Sequence, residues 1–172
     1  EINLILETLL RKKKNNPLLI GDAGVGKSAI VEEIARMIVS GNIYEKFCDK
    51  VIVELPMGSL ISGTKYRGEF EERLNNIIKE LKDNPNIILF IDEIHTMANA
   101  GAAEGAISAG DILKPFLARS DIKCIGATTK EEYEKYILKD KALSRRFETI
   151  FINEPNEEET IDILKNVKYE YI

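Results

Sequence analysis

Short apolar runs recur along the chain at residues 18–20, 51–55, 87–91, 122–126 and 149–152. Their length and β-branched content predict five strands. The third, IILFI, has no polar position, as a central strand covered on both faces requires. Between the runs the apolar period changes from two to about 3.6. Residues 27–40 place Ile30, Val31, Ile34, Met37 and Ile38 on one stripe, and Gly41 stops the helix. Residues 69–82 place Phe70, Leu74, Ile77, Ile78 and Leu81 likewise, up to Pro85. Ile112, Leu113, Phe116 and Leu117 mark another helix, and helical patterns open and close the chain. Strands alternating with helices predict an α/β fold, a three-layer sandwich around a five-stranded, mostly parallel sheet.

The chain's 172 residues suit one domain with a substantial core. Hydrophobic residues make up 44% and charged residues 31%, which excludes a disordered chain. The net charge of −5 gives no general electrostatic case for nucleic acid. One dense basic run, Arg11 to Lys14, follows the first helical pattern and reads as cations in water beside a negative helix end. The two cysteines, Cys48 and Cys124, lack metal or disulfide spacing. No stretch has transmembrane length and no signal peptide opens the sequence, so the expectation is an intracellular protein with no membrane partner.

Chemistry enters with GDAGVGKS, which comprises Gly21, Asp22, Ala23, Gly24, Val25, Gly26, Lys27 and Ser28. It matches GxxxxGK[ST] between a predicted strand and a predicted helix. Glycines let successive N–H groups turn toward phosphates, and the following helix adds its unpaired donors. Lys27 would reach the outer phosphates of ATP, and Ser28 would give an oxygen to Mg²⁺. Asp92 and Glu93 close the third run in FIDE. There Asp92 would help hold Mg²⁺ and Glu93 would deprotonate an attacking water. Thr129, in GATT, stands where a hydroxyl would position that water or cap a helix before KEE. Arg145 and Arg146 read as a solvated pair or, in a ring, as cations meeting a neighbour's nucleotide. His95 suggests a local hydrogen bond, and Asp111 a cap or an ion pair.

GTKYRGEFEERL places Tyr66 between Lys65 and Arg67 and between Gly63 and Gly68, on what reads as a loop. Taken together, the phosphate loop, KYRGEFEERL, FIDEIHT, GAAEGAI, LKPFLAR, GATTKEEY and ALSRRF resemble the first ATPase domain of the Clp chaperone family, AAA+ unfoldases and disaggregases. The resemblance spans essentially the whole chain. It implies an AAA+ P-loop NTPase with sheet order 5-1-4-3-2 and residues 1–172 as the large subdomain. The preceding segment, the helical small subdomain and a second ATPase domain would lie outside the sequence, so this piece alone would bind and hydrolyse ATP poorly.

By the same resemblance, Lys27 and Ser28 belong to Walker A, Asp92 and Glu93 to Walker B, and Thr129 to sensor 1. Arg145 and Arg146 match the arginine-finger pair serving an adjacent subunit. Lys65, Tyr66 and Arg67 match the first pore loop, and residues 99–110 the second. The implied machine is a homo-hexamer that threads unfolded or aggregated polypeptide through a pore, in the cytoplasm or in a plastid-like or mitochondrial compartment. GAAEGAI and Cys124-Ile125-Gly126 lean toward the ClpC-like branch, which feeds a Clp serine peptidase. A ClpB-like disaggregase, a nucleic-acid motor and a nucleotide-gated scaffold are the alternatives. Ser28 stands where the family usually has threonine, Asp22 where it has glutamate, and Pro56 where it has aspartate.

Overall fold

The computed structural model describes residues 1–62, 67–99, 109–118, 122–153, 161–162 and 164–165. Five strands form one sheet: β1 (Asn16–Ile20), β2 (Val51–Glu54), β3 (Ile87–Ile91), β4 (Lys123–Thr128) and β5 (Phe147–Phe151). Their spatial order is β2-β3-β4-β1-β5, and every pairing is parallel. This is the expected order 5-1-4-3-2 read from the other edge. The helices are α1 (Ile2–Leu9), α2 (Lys27–Ser40), α3 (Met57–Ser62), α4 (Arg67–Asp83), α5 (Thr96–Asn99), α6 (Ala109–Ala118), α7 (Lys130–Glu132) and α8 (Lys141–Ser144). A 3₁₀ turn at Glu45–Phe47 and a π-helical turn at Tyr133–Ile137 complete the described elements.

The period of two along each central strand divides the core between the two faces of the sheet. Leu18, Ile20, Leu89 and Ile91 pack with Phe70, Leu74 and Ile78 of α4 and with Leu113 and Leu117 of α6. Leu19, Ile88, Phe90 and Ile125 pack with Ile5, Leu6 and Leu9 of α1 and with Val31, Ile34 and Ile38 of α2. Alternate side chains of one strand therefore serve different helical layers, which is the three-layer arrangement that the pattern predicts. Burying each such side chain is worth about 1.5–3 kcal/mol, so both faces contribute. Gly41 ends α2 at φ 76°, a left-handed position open to glycine.

Several boundaries differ from expectation, among them β1, which begins at Asn16, and β2, which ends at Glu54. β4 continues two residues past Gly126, to Thr128, because Leu19 and Ile20 of β1 pair with Ala127 and Thr128. β5 begins at Phe147, opposite Asn16. α4 begins at Arg67, so Arg67 starts a helix where the sequence suggested a loop. The basic run also lies past the end of α1, whose last turn holds no cation. The cation at that helix end is Lys123 of β4, whose Nζ donates to the Leu9 carbonyl at 2.9 Å. Burial, and then the nearby Lys50 and Lys46, lower the Lys123 pKa.

Candidate nucleotide-binding site

The phosphate loop leaves β1 at its carboxyl end and enters α2 directly. The Gly21 N–H donates to the Thr128 carbonyl at 3.2 Å, which ties the loop to β4. A Cβ on Gly21 would stand 2.7 Å from the Ile152 carbonyl oxygen, so only glycine fits without a shift. Gly24 and Gly26 take φ values of 85° and 94°, which orient consecutive loop N–H groups as no L side chain readily permits. Space around Gly24 is open, with no atom within 4 Å of a Cβ built there. Lys27 Nζ donates to the carbonyls of Gly21 at 2.6 Å and Asp22 at 3.0 Å, so the ammonium lies along the loop.

Ser28, on the first turn of α2, donates its hydroxyl hydrogen to Asp92 Oδ2 at 3.1 Å. Asp92 follows β3, and its Oδ1 accepts the Glu93 N–H at 2.9 Å. Glu93 holds φ 50°, a left-handed conformation uncommon for a non-glycine residue and characteristic of functional turns. The turn is pinned on both sides: Ile94 N–H donates to the Ala127 carbonyl at 3.0 Å, and Thr96 donates through N–H and hydroxyl to the Glu93 carbonyl. Buried Ile94 fills the space beside Gly126, where a Cβ would come within 2.8 Å of its Cδ1.

A hollow of about 480 Å³ joins these groups, lined among others by Gly24, Lys27, Ser28, Asp92, Glu93 and Thr129. Sequence positions from three separate loops thus converge at the carboxyl ends of β1, β3 and β4, where parallel α/β sheets bind ligands. Thr129 lines the hollow while its Oγ1 also accepts the Glu132 N–H at 3.2 Å, capping α7. The two readings of this residue are therefore compatible. His95 Nδ1 lies 2.9 Å from Thr128 Oγ1, a hydrogen bond that spans 33 residues of sequence and joins two residues lining the hollow, where the sequence suggested a local one.

The residues present fit a magnesium nucleotide. A hydroxyl and a carboxylate, both hard oxygen donors, meet at 3.1 Å beside a lysine. Magnesium is commonly held by one or two such groups together with substrate phosphates, without a protein-only cage. Among the described residues no cluster of three or more His, Cys, Asp or Glu side chains could hold a metal by itself.

The structure adds two features to the motif residues; the first concerns Thr128, which the sequence offers with Thr129 as one of a threonine pair after the fourth strand. Thr128, 1% exposed, lines the hollow because β4 runs further than its apolar run. A second hollow of about 610 Å³ shares Gly26 with the first and is lined by Ile2, Val25, Ile30 and Ile152. Its apolar walls come from both ends of the described chain, and no local motif signals that meeting. Arg145 and Arg146 are not part of either hollow; they precede β5 at the opposite end of the sheet. Lys65 and Tyr66, and most of the second expected pore loop at 99–110, lie outside the described residues.

Residues 17–154 match the family described as ATPase family associated with various cellular activities (AAA). The chain belongs to the AAA ATPase family. Within it, the chain is similar to Clp-type chaperones: 57% identical over 98% of its length to chaperone protein ClpB of Aquifex aeolicus, and 54% identical over 99% to the ATP-binding subunit ClpC of Staphylococcus epidermidis. It spans 17% and 21% of those relatives' lengths. A solved structure described as a closed state of Hsp104 with ATPyS and FITC casein superposes with a TM-score of 0.88 at 37% identity, covering 99% of this chain and 29% of that one. ClpB and ClpC relatives match at almost equal identity, so identity does not separate the two branches.

Proposed function

We propose that this domain binds ATP with Mg²⁺, hydrolyses it, and works within a longer protein as part of a homo-hexameric polypeptide unfoldase. The observation that carries the reading is the Ser28–Asp92 hydrogen bond, which joins the phosphate loop to the acidic turn holding Glu93. In this reading the loop N–H groups and Lys27 bind the phosphates. Ser28 and Asp92 hold the metal, which would offset charge on the phosphate oxygens. Glu93 accepts the proton of the attacking water, and Thr129 orients that water. Arg145 and Arg146 serve the site of a neighbouring subunit. Lys65, Tyr66 and Arg67 grip the translocating chain, because a tyrosine offers a large amphipathic contact at small entropic cost.

Support for a polypeptide substrate comes from the relatives: both bacterial ones carry Clp chaperone or protease-subunit names, and the solved Hsp104 is described with casein. Between a ClpC-like role with a serine peptidase and a ClpB-like role without one, the GAAEGAI stretch favours the first. The same kinship supports an intracellular compartment, cytoplasmic or organellar; one similar relative is chloroplastic ClpC3 of Oryza sativa subsp. japonica. The deciding experiment assays the full-length protein with ATP and an unfolded fluorescent substrate, with and without a Clp serine peptidase. Degradation only in the presence of peptidase supports the ClpC-like role. Release of refolded substrate supports the ClpB-like one. Absence of ATP turnover overturns the whole reading.

A further inference from the structure

The parallel pairing of β1 with β5 sets Asn16 opposite Phe147. That register brings the residues just before each strand together. Lys12, Lys13 and Lys14 lead into β1, and Arg145 and Arg146 lead into β5. All five line one hollow of about 410 Å³, together with Asn15 and Leu117, and no carboxylate is among its lining residues. Five cations share this hollow in a chain whose net charge is −5.

Backbone contacts order the segments on both sides, and at the start of the lysine run Arg11 lies 3.5 Å from Glu148 of β5 in a half-exposed ion pair. Lys14 turns at φ 48°, and Asn15 behind it is buried. Asp140 Oδ1 caps α8 by accepting the N–H groups of Ala142 and Leu143. Arg146 N–H in turn donates to the carbonyl of Leu143, which is buried. Next to the hollow, Asn16 Oδ1 accepts the Cys124 N–H at 3.0 Å, while its buried Nδ2 has no partner among the described residues. Like charges gathered this closely repel unless an anion joins them.

The hollow cannot serve the phosphate loop of its own chain. The two sites sit at opposite ends of β1, separated by the five residues of that strand, roughly 17 Å at about 3.3 Å per residue. A lysine or arginine side chain does not span that distance. Sites of opposite character at opposite ends of one body suit head-to-tail association, in which each copy offers its basic end to the acidic, nucleotide-holding end of the next. We propose that Lys12, Lys13 and Lys14 extend Arg145 and Arg146 into a single polyanion site that receives the phosphate chain of a nucleotide held by a second copy of this chain. The inference rests on the hydrolytic reading above and adds the lysine run as a contributor to the neighbour's site.

The test uses the full-length protein and three forms: Lys12→Gln/Lys13→Gln/Lys14→Gln, the corresponding triple Lys→Arg form, and Glu93→Gln. The triple Gln form should lose about tenfold or more of its ATP turnover, as removal of transition-state donors does, while the triple Arg form, which keeps all three charges in a different geometry, should lose less. Mixing triple Gln with Glu93→Gln subunits should give turnover above the weighted sum of the two separately. At their shared interface, an intact Glu93 site meets an intact lysine run. Undiminished turnover in the triple Gln form overturns the proposal. So does loss without recovery on mixing, which would assign the lysines to their own chain. Where the triple Gln form does not fold, Lys13→Gln alone is read through the same mixing experiment. Wild-type protein without ATP turnover sinks the hydrolytic reading itself; active wild type with undiminished turnover in the triple Gln form sinks only the lysine assignment.

Discussion

Ser28 Oγ donates to Asp92 Oδ2 across 64 residues of sequence, linking the first turn of α2 to the end of β3. The bond sets the separation of two groups proposed to share one magnesium ion. Ser28→Ala and Asp92→Asn should each raise the magnesium concentration needed for half-maximal turnover and lower the rate by about tenfold or more. Ser28→Thr keeps the hydroxyl and should stay near wild type. Magnesium titration of ATP turnover checks both, and an unmoved curve for Ser28→Ala would remove that hydroxyl from the metal site.

Glu93 combines a carboxylate at the hollow with a strained backbone at φ 50°. Glu93→Gln should retain nucleotide and reduce turnover by about 10²–10⁴-fold, the usual contribution of a general base. Glu93→Asn should also lose turnover yet melt later, because asparagine accepts the left-handed region; a gain of about 1 kcal/mol is expected. Calorimetry beside an ATPase assay separates the two effects. An Asn form no more stable than wild type would show that the strain is relieved elsewhere.

Two glycines of the phosphate loop should fail for different reasons. Gly21→Ala drives a Cβ to 2.7 Å from the backbone oxygen of Ile152, just past β5, so the loop must shift away from it. Gly24→Ala meets no atom but must hold φ 85°, at a cost of about 1–2 kcal/mol. Both should weaken nucleotide binding. Gly21→Ala should in addition perturb the backbone amide signals around Ile152, which Gly24→Ala should leave in place.

Cys48 is exposed and Cys124 is buried in β4, where burial pushes its thiol up to about 12 from an ordinary 9.0. One thiol of this chain should therefore react quickly with an aromatic disulfide reagent at pH 8, and the second only after unfolding. The raised value favours the protonated thiol in the folded state. Its stabilisation is fully present below about pH 9 and is lost as pH rises toward 12. Denaturant melts of wild type and Cys124→Ala should converge over that range. Parallel curves would assign the alkaline loss to other groups.

Tyr66→Ala in the full-length protein should leave ATP turnover within about twofold while impairing unfolding of a folded substrate, since the aromatic contact adds grip without touching phosphate. Unfolding at the wild-type rate would end the assignment of Tyr66 to the pore.

Residue order alone makes the nucleotide loop, the acid pair, the alternation of strands with helices, and the stripes of α2 and α4 legible. Each is a local pattern whose period or spacing follows from backbone geometry and phosphate chemistry. The order of strands came from kinship, since period alone does not say which strand neighbours which. Tertiary structure decided what depends on residues distant in sequence. Pairing with β1 carried β4 on to Thr128, the order β3-β4-β1 brought Ser28 against Asp92, and Lys123 of β4 reached the end of α1. The same parallel register set Lys12–Lys14 beside Arg145 and Arg146, two basic runs that read separately along the chain as solvated charge. Hydrogen-bonded register between strands, a nonlocal property, turned those separate charges into one site.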